Sequence, residues 1–103
     1  MSKNLLKVSR QGDKTRIVLA PQLDVANSVQ LKKELGNVFR RKPPFELDGA
    51  SVERVDTAGL QILTAFKTEA LNRDIGLGWA AASDALRKSA KLLGLTNVLE
   101  LGD

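Results

Sequence analysis

The chain contains no cysteine and no histidine in its 103 residues. Without a thiol there is neither a disulfide framework nor a thiolate nucleophile. Without imidazole there is no histidine base and no zinc site of the Cys/His kind. An enzyme made from this sequence would have to work with carboxylates, lysine, arginine and hydroxyls alone. Aromatic residues are scarce as well: Phe39, Phe45, Phe66 and Trp79 are the full set. Single-stranded nucleic acids are gripped on aromatic side chains interleaved with basic ones, and no such interleaving is present. No apolar run approaches the roughly 20 residues of a membrane span. Met1 to Leu6 has neither the apolar core nor the cleavage site of a secretory leader. The expectation is a cytoplasmic protein with no direct membrane insertion.

What is present is the composition of an ordered globular domain, with 43% hydrophobic and 27% charged residues. The length accommodates one core, so residues 1–103 are expected to form a single domain. The net charge of +4 is spread along the chain, apart from Arg40-Arg41-Lys42 at an expected helix end, where cations complement the helix dipole. The same helix carries Lys32 and Lys33, but Gln30 and Asn37 do not form the pattern that reads base edges. A solvated face is the reading adopted, and no nucleic-acid partner is expected.

Leu5 to Val8 and Thr15 to Leu19 read as strands joined through Gln11-Gly12-Asp13, a hairpin that Pro21 ends. Asp24 is a candidate cap for a helix running to about Arg41. Its apolar face is Leu31, Leu35, Val38 and Phe39, with Lys32, Lys33 and Glu34 on the other side. Pro43-Pro44 stops that helix. Phe45 to Asp48 is the third strand. A second helix follows from Thr57 to about Leu71, burying Leu60, Leu63, Phe66 and Ala70, with Ile62 as a further apolar side. Ile75 to Ala80 alternates large residues with glycine, a strand with one bare face. Ser83 or Asp84 caps a third helix along Leu86, Ala90 and Leu93. Gly94 and Leu95 fit a left-handed stop with its apolar contact. Val98 to Leu101 reads as a short closing strand. Strands alternating with helices from Phe45 onward require a parallel portion with right-handed crossovers, and the leading hairpin makes the sheet mixed. The predicted fold is α/β: a mixed sheet of four to five strands with three main helices packed largely on one face.

The most informative stretch is residues 47 to 63, Leu-Asp-Gly-Ala-Ser-Val-Glu-Arg-Val-Asp-Thr-Ala-Gly-Leu-Gln-Ile-Leu. A strand ends in Asp48. A turn then places Asp56 and Thr57 where the second helix starts and its backbone N–H groups are unpaired. A hydroxyl there is well placed to carry a phosphate. A plainer role coexists with that one. Asp56 or Thr57 caps the helix, Gly59 admits it close to the sheet, and Asp48 satisfies donors in the turn. Asp48 and Asp56 as a carboxylate pair could in principle bind Mg²⁺ or exchange protons, but two carboxylates across a turn commonly serve structure. Gly76-x-Gly78 lies inside a strand and is no phosphate loop. No enzymatic activity, metal or cofactor is predicted.

The element order and this motif together resemble the STAS domain, named for sulphate transporters and anti-sigma-factor antagonists. The resemblance covers essentially the whole chain. The family pattern is a strand ending in Asp, about eight residues of turn, then Asp-Ser/Thr-Ser/Ala/Gly-Gly-Leu opening a helix. Asp48 matches the first part, and Asp56, Thr57, Ala58, Gly59 and Leu60 match the second. Leu23-Asp24 matches a Leu-Asp before the first helix, and Leu86 to Gly94 resembles the closing helix. The chain departs from the pattern at Ala20-Pro21-Gln22, which lacks the usual glycine, and at Ala58, where many sporulation-type members have Ser. The resemblance implies a non-enzymatic, anti-sigma-factor-antagonist-like signalling protein. Its partner would be a kinase or anti-sigma factor, its mechanism partner switching, and its phosphoacceptor Thr57. Behind this leading reading stand two alternatives that the resemblance also implies: a cytoplasmic accessory subunit bound to the ATPase of a phospholipid-trafficking ABC transporter, or a STAS component of chemotaxis signalling.

Overall fold

The structure, a computed structural model, describes residues 4–101. Strands β1 (Leu6–Gln11), β2 (Lys14–Leu19) and β3 (Gln22–Leu23) come first. A single 3₁₀ turn, Val25–Asn27, leads into helix α1 (Ser28–Val38). Then follow β4 (Phe45–Gly49), β5 (Arg54–Val55), α2 (Thr57–Asn72), β6 (Leu77–Ala82), α3 (Asp84–Leu92) and α4 (Thr96–Leu99).

The main sheet has the order β1-β2-β4-β6. The hairpin pairs Leu6 with Leu19 and Gln11 with Lys14, leaving Gly12-Asp13 as the turn. Gly12 takes the positive φ of 61° that the turn requires. β2 then pairs in parallel with β4, Ile17 opposite Leu47, and β4 in parallel with β6, Leu47 opposite Trp79. A register irregularity follows, since Asp48 pairs with Ala81 and Ala80 is passed over. The mixed sheet expected from the element order is therefore present.

Alternation along β2 and β4 explains why the helices lie on one face. Thr15, Ile17, Leu19, Phe45 and Leu47 are buried, whereas Arg16, Val18, Glu46 and Asp48 between them are half-buried on the opposite face. The buried side meets Leu31, Leu35 and Val38 of α1, Leu60, Leu63 and Phe66 of α2, and Leu86 and Ala90 of α3 in one core. Each large aliphatic side chain buried this way contributes about 1.5–3 kcal/mol. On the open face, Lys14, Glu46, Arg16 and Asp48 form an alternating ladder of ion pairs.

Helix ends follow local chemistry. Ser83 accepts the N–H of Leu86 at 3.1 Å and caps α3. At the other end Gly94 is left-handed (φ 70°), and Leu95 donates to Ala90 at 2.8 Å, the stop read from the sequence. α2 ends the same way with Asp74 (φ 56°) in the left-handed position and Ile75 donating to Ala70 at 2.9 Å.

Several expectations are corrected. Residues 98–101 do not form a strand. Val98 and Leu99 belong to the one-turn helix α4, whose Leu99 carbonyl accepts the Trp79 Nε1–H at 2.8 Å, and Glu100 ends it in the left-handed region, while Arg87 donates to the carbonyl of Leu101 beyond. α1 stops at Val38 instead of Arg41, and the N–H groups of Arg40 and Arg41 bond three residues back in 3₁₀ fashion. Glu34 does not face solvent with Lys32 and Lys33: its carboxylate accepts the N–H groups of Leu5 and Leu6 and ties α1 to β1. β6 runs to Ala82, two residues beyond the expected end, with Gly78 and Ala80 exposed as its bare face. β3 and β5, a two-residue parallel ladder, were not foreseen. The reading of Met1 to Leu6 as no secretory leader falls partly on residues outside the described range.

Candidate functional site

The second half of the 47–63 motif, Asp56 to Leu60, lies where β3, β5 and α2 meet. Asp56 is the N-cap of α2, and its Oδ1 accepts the N–H of Gly59 at 3.1 Å. Its Oδ2 accepts the N–H of Val25 at 2.8 Å, from the 3₁₀ turn 31 residues earlier. These backbone donors, Gly59 first, hold the Asp56 carboxyl below its ordinary pKa against the opposing effect of burial. Thr57 is the first residue of α2 and is exposed, and its hydroxyl makes no hydrogen bond among the described residues. Leu60 is fully buried and seats the helix in the core. Ala58 is half-buried and faces the cleft between α1 and α2.

Gly59 has a strict steric reason. A Cβ there would collide with the carbonyl oxygen of Leu23 and lie 3.1 Å from Val55 Cγ2. The first turn of α2 is thus pressed directly onto the β3–β5 ladder. The close approach read from the sequence is present, and its neighbour is the short β3–β5 ladder.

Asp48 and Asp24 are placed differently from the expected cluster. Asp48 lies on the open face of the sheet, where Oδ2 accepts from Arg16 Nη2 at 2.7 Å and Oδ1 from the Ala50 N–H at 3.0 Å. The Arg16 hydrogen bond, then the Ala50 N–H, keep its carboxyl below the usual range, and Arg16 is raised in turn. Asp48 does close its turn, as expected. The two carboxylates Asp48 and Asp56 serve separate partners and form no acid–base pair. Asp24 precedes the 3₁₀ turn, but its side chain caps no backbone N–H; it accepts instead from Asn27 Nδ2 at 3.2 Å. Asp56 has taken over the capping of that turn. Among the described residues no group of three or more His, Cys, Asp or Glu could hold a metal ion.

Two residues that sequence reasoning passed over belong to this surface. Val25, on the turn that Asp56 grips, is 68% exposed, and Val29 in the first turn of α1 is 82% exposed. Exposed valines at adjoining helix starts give the Thr57 surface an apolar component. Their only sequence signal was their place off the buried stripe of α1. Arg16 was likewise unmarked, because its partnership with Asp48 depends on the β2–β4 register.

A mixed four-stranded sheet, helices on one face and an Asp-Thr-x-Gly-Leu helix start over a two-strand ladder define a STAS-fold domain. The family model described as "Mlab, STAS domain" matches residues 6–101, and the chain belongs to this family. The crystal structure of an anti-sigma factor antagonist from Mycobacterium paratuberculosis is similar to it. The identity is 27%, covering 89% of this chain and 79% of that one, with a TM-score of 0.76. The crystal structure of Mglu shares the fold at 16% identity and a TM-score of 0.65 over 78% of this chain, which corresponds to 20% of that protein. No curated protein matches the chain in sequence. Among the described residues no helix is long and apolar enough to cross a membrane.

Proposed function

We propose that the chain is a non-enzymatic regulatory protein of the cytoplasm that binds a protein partner through the surface around Thr57. Phosphorylation of Thr57 releases that partner. The observation that carries this reading is the exposed, unbonded Thr57 hydroxyl at the first position of a long helix whose neighbour Asp56 is immobilised. Similarity to an anti-sigma factor antagonist supports the same class.

The mechanism is local electrostatics. The unmodified surface offers Thr57 and the apolar Val25 and Val29 to a kinase or anti-sigma factor. A phosphate adds about −1.5 to −2 charge and three acceptor oxygens. The helix N-terminus tolerates it within the domain, whereas a partner surface shaped for a hydroxyl does not. About 1.4 kcal/mol lost at the interface is already tenfold in affinity. Asp56 orients the turn, Gly59 and Leu60 seat the helix, Ala58 stands beside Thr57 in the same turn, and Asp48 and Asp24 shape the flanking loops. No movement of the fold is needed.

The family description, which names Mlab, favours a second reading: an accessory subunit whose Thr57 surface is a permanent contact with a transporter ATPase. Parallel affinity captures from the native host with wild-type and Thr57→Glu baits, read by mass spectrometry, separate the two. A kinase or anti-sigma factor held by the wild type and released by the variant supports switching. A transporter ATPase as the main wild-type prey, with no phosphorylated Thr57 in cells, replaces it by the accessory role.

A further inference from the structure

Helices α1 and α2 run side by side in the same direction. The segments that lead into them are joined by Val25 and Asp56, and towards their ends Phe39 packs on Phe66 at 5.0 Å between ring centroids and lies under Arg73 at 4.2 Å. Between them is an open cleft of about 540 Å³, inside the range of about 300–1,000 Å³ typical of small-molecule sites. Its walls are apolar in the middle, from Leu35, Ile62 and Ala65, and its two ends differ in charge. At the far end Arg73 is neutralised by Glu69 at 2.7 Å. At the end where both helices begin, Lys32 lines the cleft and makes no ion pair among the described residues.

Gly36 is the telling residue. It stands inside α1, where glycine weakens a helix relative to alanine. A Cβ at this position would meet nothing within 4 Å, so no packing within the domain requires its absence. Its effect is to leave the cleft wide at mid-length, opposite Ile62 and Ala65. Such a cleft, mostly apolar in the middle and cationic at one end, has the polarity of a single-chain amphiphile with an anionic head.

We propose that the α1–α2 cleft binds a single-chain amphiphile, its carboxylate or phosphate head at Lys32 and its alkyl tail along Leu35, Gly36, Ile62 and Ala65 to the Phe39 ring. The site adjoins the partner surface at Ala58, but its test does not involve Thr57 and its outcome does not depend on that residue.

The test uses the full chain, isotope-labelled, titrated below the micellar concentration with three probes that share a tail: decanoate, decyl phosphate and the uncharged decyl maltoside. Expected are saturable shifts of the Gln61, Ile62 and Ala65 amides with the anionic probes. Decyl maltoside and the Lys32→Glu variant should each bind about tenfold more weakly or worse, the loss expected for one hydrogen bond to a charged group. Gly36→Leu, which fills the cleft, should abolish binding of all three. A preference between carboxylate and phosphate identifies the source as a fatty acid or a phosphorylated lipid. The proposal is overturned if no saturable shifts occur at those amides, if decyl maltoside binds as well as the anions, or if Lys32→Glu, a surface change that leaves the core untouched, binds decanoate like the wild type.

Discussion

Asp56 and Val25, 31 residues apart in sequence, are joined by a 2.8 Å hydrogen bond from the Val25 N–H to Asp56 Oδ2. The other oxygen caps α2 through Gly59. One carboxylate therefore holds the start of α2 against the turn that opens α1. Replacement by alanine removes both bonds and exposes two backbone donors. Asp56→Ala should lower stability by about 1–2 kcal/mol, the upper part of the range for a lost cap. Urea unfolding monitored by circular dichroism measures it. A loss near the lower end for a cap alone, about 0.5 kcal/mol, would mean that the bond to Val25 contributes nothing.

Gly59 and Gly36 both stand in helices, and their alanine variants should move stability in opposite directions. At Gly59 the new methyl collides with the Leu23 carbonyl and crowds Val55. Overpacking against backbone costs about 1–3 kcal/mol or more, which outweighs the helical gain. At Gly36 the space is open, so Gly36→Ala should stabilise by up to about 1 kcal/mol. Thermal unfolding of the two variants side by side checks the contrast. Equal effects would refute the steric account of Gly59.

Asp48 and Asp56 both have carboxyl pKa values below their ordinary range in the folded protein. The unfolded chain therefore binds more protons than the folded one in the interval below about pH 4. The stabilisation from each is fully present above the unfolded pKa and is lost as the pH falls through the lower folded value. The wild type should lose this contribution as the pH falls below about 4. Asp48→Asn, which removes the charge facing Arg16, should be less stable at neutral pH and show a shallower acid decline. Urea midpoints measured from neutral pH downward test this, and parallel curves for the two proteins would count against the role given to Arg16.

Much of this architecture was legible because it rests on local chemistry. The hairpin at Gly12, the cap at Asp56, the stop at Gly94 and the buried stripe Leu60, Leu63, Phe66 and Ala70 are all written in short spacings. What escaped is set by tertiary contact. Val98 to Leu101 is too short to show a period of two or of 3.6, and it became helical where Trp79 and Arg87 bond its carbonyls. The β3–β5 ladder has two residues per strand and no pattern at all. Asp24 looked like a cap by position, but the carboxylate that binds the following turn comes from Asp56. The pairing of Asp48 with Arg16 required the register of β2 on β4. Thr57 and its neighbours were found by the motif, whereas the exposed Val25 and Val29 became visible only once the turn was placed beside α2.

Thr57→Glu distinguishes an effect on the fold from an effect on binding. Position 57 is the first residue of α2 and points to solvent. No acidic residue occupies that first turn, so a glutamate there meets the positive end of the helix dipole, while the ionised Asp56 cap beside it opposes the gain. The fold should change in stability by no more than about 0.3–1 kcal/mol. The same charge at the partner surface replaces a small hydroxyl beside two exposed valines, and desolvating it there is unfavourable. Partner affinity should fall by at least about tenfold, a loss of roughly 1.4 kcal/mol. Thr57→Val, close in shape but without the hydroxyl or charge, should retain most of the affinity. Calorimetric titration of the three proteins with the captured partner, alongside their unfolding curves, gives both quantities. Unchanged affinity for Thr57→Glu would remove Thr57 from the interface, and a loss of affinity accompanied by equal loss of stability would assign it to the fold instead.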